Sequence, residues 1–358
     1  MHLLFVTDQY RRAEGSFAHG AAVHLHQLSA HLGASGHQVE ILHWGERAEL
    51  VDEGPVLLRT VTADSVEEFF GHVAAVTADH KGPVHLNNID YAPAVTRAPY
   101  RRLSATVHTN VFLRDPARLQ LRPLVRSLDA VGVINRKYIG ALRDIRRPVV
   151  WIPSGVDTDV MSPSPASPEE AGSTFRVLLP GRPERPKGVV FAASLLPSLA
   201  ARIGRPVSLL FTGEPEPEVA EEIRTAAADH WPNVQFLPWR EHGSEMADLY
   251  RSVDVVILPS TSEACGLVLL EAMACGTPVI ASPQANTSRT VRNRQTGLCA
   301  PLDSRSDWTK ALTDLAKDDK LAARLAASGA SAVRRRHRPQ EMFAGYTHLF
   351  TASGALQP

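Results

Sequence analysis

Two doubly wound α/β domains facing each other across a cleft are what this 358-residue sequence predicts. Three observations carry that expectation. Short apolar runs are each followed by a polar, glycine-bearing loop and then by a helical stretch, the order of a βαβ unit with parallel strands. The cycle begins at residue 3 and begins again after residue 174. Between the two lies Ser162-Pro163-Ser164-Pro165-Ala166-Ser167-Pro168, a linker composition.

In the first half, Leu3-Leu4-Phe5-Val6 reads as a buried parallel strand. A polar loop runs from Asp8 to His19. Ala21, Leu25, Leu28 and Leu32 then share one helical face, and Gly33 and Gly36 are candidates to end the helix. Val39 to Leu42 is the second strand. In the second half, Phe175 to Leu179 is a strand, Gly181 to Gly188 a loop, and 189–202 an Ala/Leu-rich helix. Val207 to Phe211, Val234 to Leu237, Val253 to Leu258 and Pro278 to Ala281 are further strands, with a helix opening near Gly266. Ligands of such sheets bind beyond the carboxyl ends of the strands.

Composition narrows the partners. Lys plus Arg is 38 and Asp plus Glu is 38, so no net field draws the chain to nucleic acid or to a membrane surface. Cys265, Cys275 and Cys299 are too few, and odd in number, for a disulfide framework. They fit a reducing compartment. The first residues lack a basic region, and no apolar run approaches the roughly 18 residues of a membrane span. A cytoplasmic protein without a transmembrane segment is expected.

The stretch from Ser262 to Ala281 carries the most chemistry. A strand ends at Pro259-Ser260, a loop holds Glu263, a helix opens at Gly266 and carries Glu271, and Gly276 caps it before Pro278. The free amides of Gly266, Leu267 and Val268 form an anion site at a helix N-terminus, suited to a diphosphate. Glycine lets the phosphate approach the backbone closely. Glu263 is placed to accept bonds from sugar hydroxyls. Glu271, one turn into the helix, is placed to accept both ribose hydroxyls. The other strand-to-helix loop, Gly181-Arg182-Pro183-Glu184-Arg185-Pro186-Lys187-Gly188, is basic. Arg and Lys there would stabilise a departing diphosphate without a metal.

These two segments resemble the E-x7-E and G-R-x(n)-K-G elements of the large retaining GT-B family of glycosyltransferases, the group 1 or family 4-like enzymes. Glu263, Gly266, Leu267, Glu271-Ala272, Gly276 and Pro278-Val279 match, while Cys265 stands where Phe is usual. Arg182 and Lys187 match the family's arginine and lysine; Arg185 has no role in that pattern. Ile152-Pro153-Ser154-Gly155-Val156-Asp157 resembles the family's P-N-G-V-D junction element, with Ser154 for Asn. Asp157-Thr158-Asp159 spells a metal motif, but the same residues complete the junction element, and no metal is expected. Ser104 to Asn110 resembles the strand that ends in a histidine facing the donor sugar, here His108. The usual Gly-Gly opening of the first helix is half present, as Gly20-Ala21. The run from Arg334 to Phe350 resembles the family's final helix, which returns to the N-terminal domain.

The resemblance implies two Rossmann-like domains: an acceptor-binding domain over 1–157 joined by a helix at about 340–358, and a nucleotide-sugar-binding domain over 158–339. It implies a metal-independent hexosyltransferase with a nucleotide-diphosphate sugar, by family frequency a UDP-sugar, as substrate and no cofactor. The acceptor would be a small molecule or natural product. His108, Arg182, Lys187 and Glu263 would be catalytic. Gly20, Arg182, Lys187, Glu263, Cys265, Gly266, Leu267, Val268 and Glu271 would bind donor, and His19 and Asn110 acceptor. His19, His24, His26 and His31 otherwise read as a solvated face of the first helix, and Arg114, Arg118, Arg122 and Arg126 as another solvated face. A sugar-nucleotide epimerase of the same fold and a non-catalytic sugar-nucleotide-binding protein are the alternatives.

Overall fold

A computed structural model of the chain describes residues 1–8, 10, 20–95, 102–108, 125–142, 146–164, 174–263, 265–286 and 288–356. The chain divides into two compact units, Met1–Gly155 with Pro339–Pro358, and Val156–Arg338. Each is built on one twisted sheet. Among the described residues no helix is long and apolar enough to cross a membrane.

The first unit holds β1 (His2–Val6), α1 (Gly20–Ala34), β2 (Gln38–Trp44), β3 (Glu49–Glu53), β4 (Val56–Val61), α2 (Val66–Asp79) and β5 (Val84–Leu86). After these come β6 (Leu103–Val107), β7 (Ala130–Val133), α3 (Lys137–Ala141) and β8 (Val149–Trp151). The strand order is β3-β4-β2-β1-β5-β6-β7-β8. All neighbours are parallel except β3 and β4, which form an antiparallel hairpin. Gly54, at φ +78°, makes that hairpin's turn, and its amide donates to Asp52 at 2.9 Å. β3 carries Glu49, Asp52 and Glu53 and is largely exposed, a charged edge that resists further pairing. After His2, strands β1, β6 and β7 are buried on both faces, and β6 presents Ser104 and Thr106 on one of them.

Of the two glycines expected to end α1, the second does so, and the expected solvated face is not found. The helix runs through Gly33 to Ala34, and the left-handed residue that stops it is Gly36, at φ +82°. Gly33 is needed for space, since a Cβ there would lie 2.6 Å from the Pro55 side chain. Nor are its histidines a solvated face. His24 is buried, His26 meets the Tyr10 hydroxyl at 3.1 Å, and His31 stacks on Phe343 with ring centroids 4.0 Å apart. His19, and Arg114, Arg118 and Arg122 of the basic series, lie outside the described residues.

The second unit holds β9 (Phe175–Leu179), α4 (Val189–Ala193), α5 (Leu196–Ile203), β10 (Val207–Thr212), α6 (Pro217–Ala227), β11 (Val234–Leu237) and α7 (Ser244–Arg251). It continues with β12 (Val255–Leu258), α8 (Leu267–Ala274), β13 (Val279–Ala281), β14 (Leu298–Cys299), α9 (Arg305–Lys317) and α10 (Asp319–Arg336). The order is β11-β10-β9-β12-β13-β14, all parallel. The single helix expected over 189–202 is two, because Pro197 has no amide to donate to Ala193, and the chain turns at Ser194 and Leu195. Ser162 and Val160 accept bonds from Arg251 at 2.8 Å each, so the start of the Ser/Pro stretch is fastened within this unit.

The last helix, α11 (Pro339–Ala352), packs on β7, β8 and α1 of the first unit. Gly132 on β7 admits it, since a Cβ there would lie 3.0 Å from Leu349 and 2.6 Å from Ile152. Phe350 sits edge-on to Phe5 and to His85, at 6.1 and 5.4 Å. His85 bonds Ser104 at 2.9 Å and Thr106 at 3.1 Å, and burial lowers its pKa to about 3, so the ring is neutral. Burial pushes the Tyr346 phenol up to about 12, against a hydrogen bond with Thr106. One expected outcome is that Phe350→Ala costs the first unit about 3–5 kcal/mol, as a large core deletion does. Urea denaturation reads this as a lower midpoint with an unchanged slope.

Candidate functional site

In the second unit the sheet order reverses at β9 and β12. The chain leaves β9 for β10 on one side and returns to β12 on the other. Open α/β sheets bind ligands outside the carboxyl ends of strands at such a switch point. The two loops that leave this point are 180–188 and 259–266, the two segments that carry the sequence motifs.

Backbone packing joins them. Gly188, at φ +77°, admits no Cβ, which would lie 2.2 Å from the Pro259 carbonyl. The Thr261 amide donates to the Pro186 carbonyl at 2.9 Å. With the loops locked, the Lys187 ammonium donates to Glu263 at 2.6 Å. Ser260, fully buried at the end of β12, donates to the same carboxylate oxygen at 2.8 Å, and Ser282 donates to the Ser260 carbonyl at 2.7 Å. Lys187 is 30% exposed and Glu263 10%, so the lysine is the more open partner.

Gly266 is the N-cap of α8 in the left-handed region, at φ +62°. A Cβ there would lie 2.6 Å from the Ala285 carbonyl, so glycine is required for conformation and for space. Leu267 is buried, while Val268 and Cys265 are half-buried. Arg182 is exposed. Arg185 turns away, pairing with Glu222 at 2.7 Å and Glu218 at 3.4 Å on α6. Asp157 accepts the Asp159 amide at 3.0 Å, closing a local turn.

Glu271, on the first turns of α8, is buried and held on both oxygens. His242 meets Oε1 at 2.7 Å, and the Tyr250 hydroxyl donates to Oε2 at 2.8 Å. Burial pushes the His242 pKa down, but Glu271's charge and hydrogen bond, with Asp157, outweigh it and leave it raised. Burial and the Glu271 carboxylate push the Tyr250 phenol well up, so it stays a donor. Sequence reasoning did not find His242 or Tyr250. Neither lies in a motif, and their meeting with Glu271 spans 29 and 21 residues.

In the first unit the order reverses between β1 and β5. Asn87 follows β5, and its side chain donates to Thr7, just after β1, at 3.2 Å. Gly20 opens α1. His108 follows the carboxyl end of β6 and is buried. His19 and Asn110 lie outside the described residues.

The His242–Glu271 pair gives a pH signature. The folded pKa of His242 stands above the ordinary 6.5, so protonation favours the folded state. That contribution is complete below about pH 6.5 and is lost as pH rises through the folded value. Glu271→Gln removes it. The stability gap between wild type and Glu271→Gln should be wider at about pH 6 than at about pH 9. Equal gaps at both would show that the pair carries no charge.

Residues 174–318 match the family described as glycosyl transferases group 1. The chain is similar to a D-inositol 3-phosphate glycosyltransferase of Arthrobacter sp., 37% identical over 180 residues, 46% of this chain and 41% of that one. It is similar to another of Stackebrandtia nassauensis, 30% identical over 274 residues, 72% of this chain and 60% of that one. The chain thus spans about two to three fifths of the length of these curated relatives. The solved structure of a sucrose-phosphate synthase from Thermosynechococcus elongatus superposes with a TM-score of 0.82 at 22% identity, covering 98% of this chain and 100% of that one. At that identity the likeness is one of fold. The segment that matches the group 1 glycosyl transferases, residues 174–318, holds both motif loops of the switch point, and the two Rossmann-like units have the GT-B fold.

Proposed function

We propose that this chain transfers a sugar, with retention of anomeric configuration, from a nucleotide-diphosphate donor to a hydroxyl of a small-molecule acceptor. The observation that carries the reading is the Lys187–Glu263 contact of 2.6 Å across the switch point, beside the N-terminus of α8. It sets a cation, a carboxylate and a helix's free amides within one small region. A sugar diphosphate needs those three groups.

In this reading the diphosphate lies at the amides of Gly266, Leu267 and Val268, and Gly20 is a further phosphate-binding residue. Cys265 borders the donor sugar. Glu263 accepts its hydroxyls and releases Lys187 to the leaving group. Glu271, steadied by His242 and Tyr250, accepts the ribose diol. As the bond from anomeric carbon to phosphate oxygen breaks, its electron pair passes to the diphosphate, where Arg182 and Lys187 stabilise it. The acceptor oxygen attacks the same face of a short-lived oxocarbenium-like ion, and its proton passes to the departing phosphate. His108 serves the donor sugar, and His19 and Asn110 the acceptor. A UDP-sugar is the first donor to test. A small polyol phosphate is the first acceptor, since the relatives' names specify D-inositol 3-phosphate.

Incubation with UDP-, GDP- and ADP-sugars, with and without acceptor, tests the proposal. Acceptor-dependent release of nucleoside diphosphate supports transfer. Conversion of the nucleotide sugar without acceptor would mean an epimerase, and binding without turnover a non-catalytic protein. Turnover should survive EDTA, because Arg182 and Lys187 occupy the role a metal would fill. Complete loss, restored by magnesium or manganese, would overturn that role.

Lys187→Ala should lower kcat on the order of 10²–10³-fold, with a smaller change in donor KM. The ammonium gains interaction as charge grows on the leaving oxygen, and only that increment lowers the barrier. Lys187→Arg should rescue only in part, because a planar fork places its charge differently. A variant with wild-type kcat and only a raised KM would show uniform binding and withdraw the leaving-group role.

A further inference from the structure

The amino ends of the first unit's strands bring together two imidazoles and a carboxylate. His2 opens β1, Glu40 lies near the start of β2, and His80 caps the C-terminus of α2. One ligand atom from each lies within 4.8 Å of the others. Among the described residues this is the one such group of three.

The fold builds it from three segments. The parallel register sets Leu4 opposite Glu40 and His2 opposite Gln38, so His2 and Glu40 share one face of the sheet as diagonal neighbours. His80 is fixed by its own amide, which bonds the Val76 carbonyl at 3.2 Å. The chain then passes directly over the first residue of β1. A Cβ on Gly82 would lie 1.9 Å from the His2 carbonyl and 2.9 Å from the His80 ring. Two residues on, the Pro83 carbonyl accepts the Leu4 amide at 3.0 Å. The site's backbone is therefore set by the sheet itself.

The carboxylate is prepared as well. Arg59 on β4 donates to Glu40 Oε1 at 2.7 Å. Oε2 faces His2 Nε2 at 3.3 Å, and the His2 and His80 rings meet edge to face at 4.8 Å. An outer partner on one oxygen, leaving the other for a cation, is the arrangement that orients carboxylate ligands in metal sites.

We propose that His2, Glu40 and His80 form a zinc site that staples β1, β2 and the end of α2, with water as fourth ligand. Two imidazoles and one carboxylate suit zinc. Calcium and magnesium prefer all-oxygen shells. Tetrahedral zinc, with bonds of about 2.0–2.1 Å, holds its ligand atoms roughly 3.4 Å apart, so a separation of up to 4.8 Å must close by as much as about 1.4 Å. His2 has the most room to move of the three. It is 44% exposed and stands at the strand's first residue, while Glu40 is 6% exposed. The site lies at the opposite end of the strands from the carboxyl-end loops where ligands of such sheets bind. Its metal is therefore structural and takes no part in the sugar transfer.

The test uses the full chain without a histidine tag, stripped with chelator and dialysed. Zinc is titrated by calorimetry and cobalt by visible absorbance, with melting temperature followed in parallel. One equivalent of zinc per chain, four-coordinate cobalt bands and a raised melting temperature are expected. His2→Ala and Glu40→Gln should each weaken zinc at least about 10–100-fold, the loss typical of removing even an outer partner. His2→Ala should keep the wild-type circular dichroism and turnover, because His2 is exposed and lies in neither motif loop. His80→Ala is added where it folds. Absence of saturable binding near one equivalent, or unchanged zinc affinity in His2→Ala, would overturn the site and leave a simple His2–Glu40 hydrogen bond.

Discussion

The candidate site hangs on one close approach of two backbones, at Gly188 and Pro259. These residues follow the central strands β9 and β12, and no side chain fits between them. The constraint is steric, yet its consequence is electrostatic. With the loops this near, and with the Thr261 amide bonded to Pro186, Lys187 reaches Glu263 across a separation of 76 residues. The pair costs little, since the lysine keeps contact with solvent. Gly266 repeats the device one turn later. There a left-handed glycine beside the Ala285 carbonyl sets the start of α8.

A second layer of order lies beneath the loops. Glu271 is a buried carboxylate, which is costly unless paired. His242 and Tyr250 meet that need from two other segments, one before and one within α7. The base of the site is thereby tied to α7, and Thr277 extends the tie by donating to the Tyr250 carbonyl at 2.6 Å. A polar network satisfied on every side rigidifies the elements that share it.

Much of this was legible in the residues. Alternation of apolar runs with glycine-bearing loops identifies β1, α1, β2 and most of the second sheet, because strands buried on both faces are continuous apolar runs. The motif loops read as strand-to-helix turns, and Gly188 and Gly266 in them take left-handed backbone. Pro197 was a signal of the helix break and was available in the sequence. Other features were not local. The β3–β4 hairpin is mostly polar on one strand and carries little periodicity. The partners of Glu271, and the meeting of His2, Glu40 and His80, depend on strand order and register. A histidine at one strand's start says nothing of another at a helix's end until the sheet brings them together.

The placement of α11 bears on how the chain matures. The second unit, Val156–Arg338, is one unbroken stretch, whereas the first needs residues from both ends of the chain. On the ribosome, Met1–Gly155 would wait for the segment from Pro339 onward. Until α11 is made, Phe5, His85 and Thr106 lack the cover of Tyr346 and Phe350, and the apolar face of β7 lacks Leu349. Domains usually complete in the order of synthesis. In this chain the order is inverted: Val156–Arg338 can close before the unit that precedes it, which is finished only once α11 has emerged.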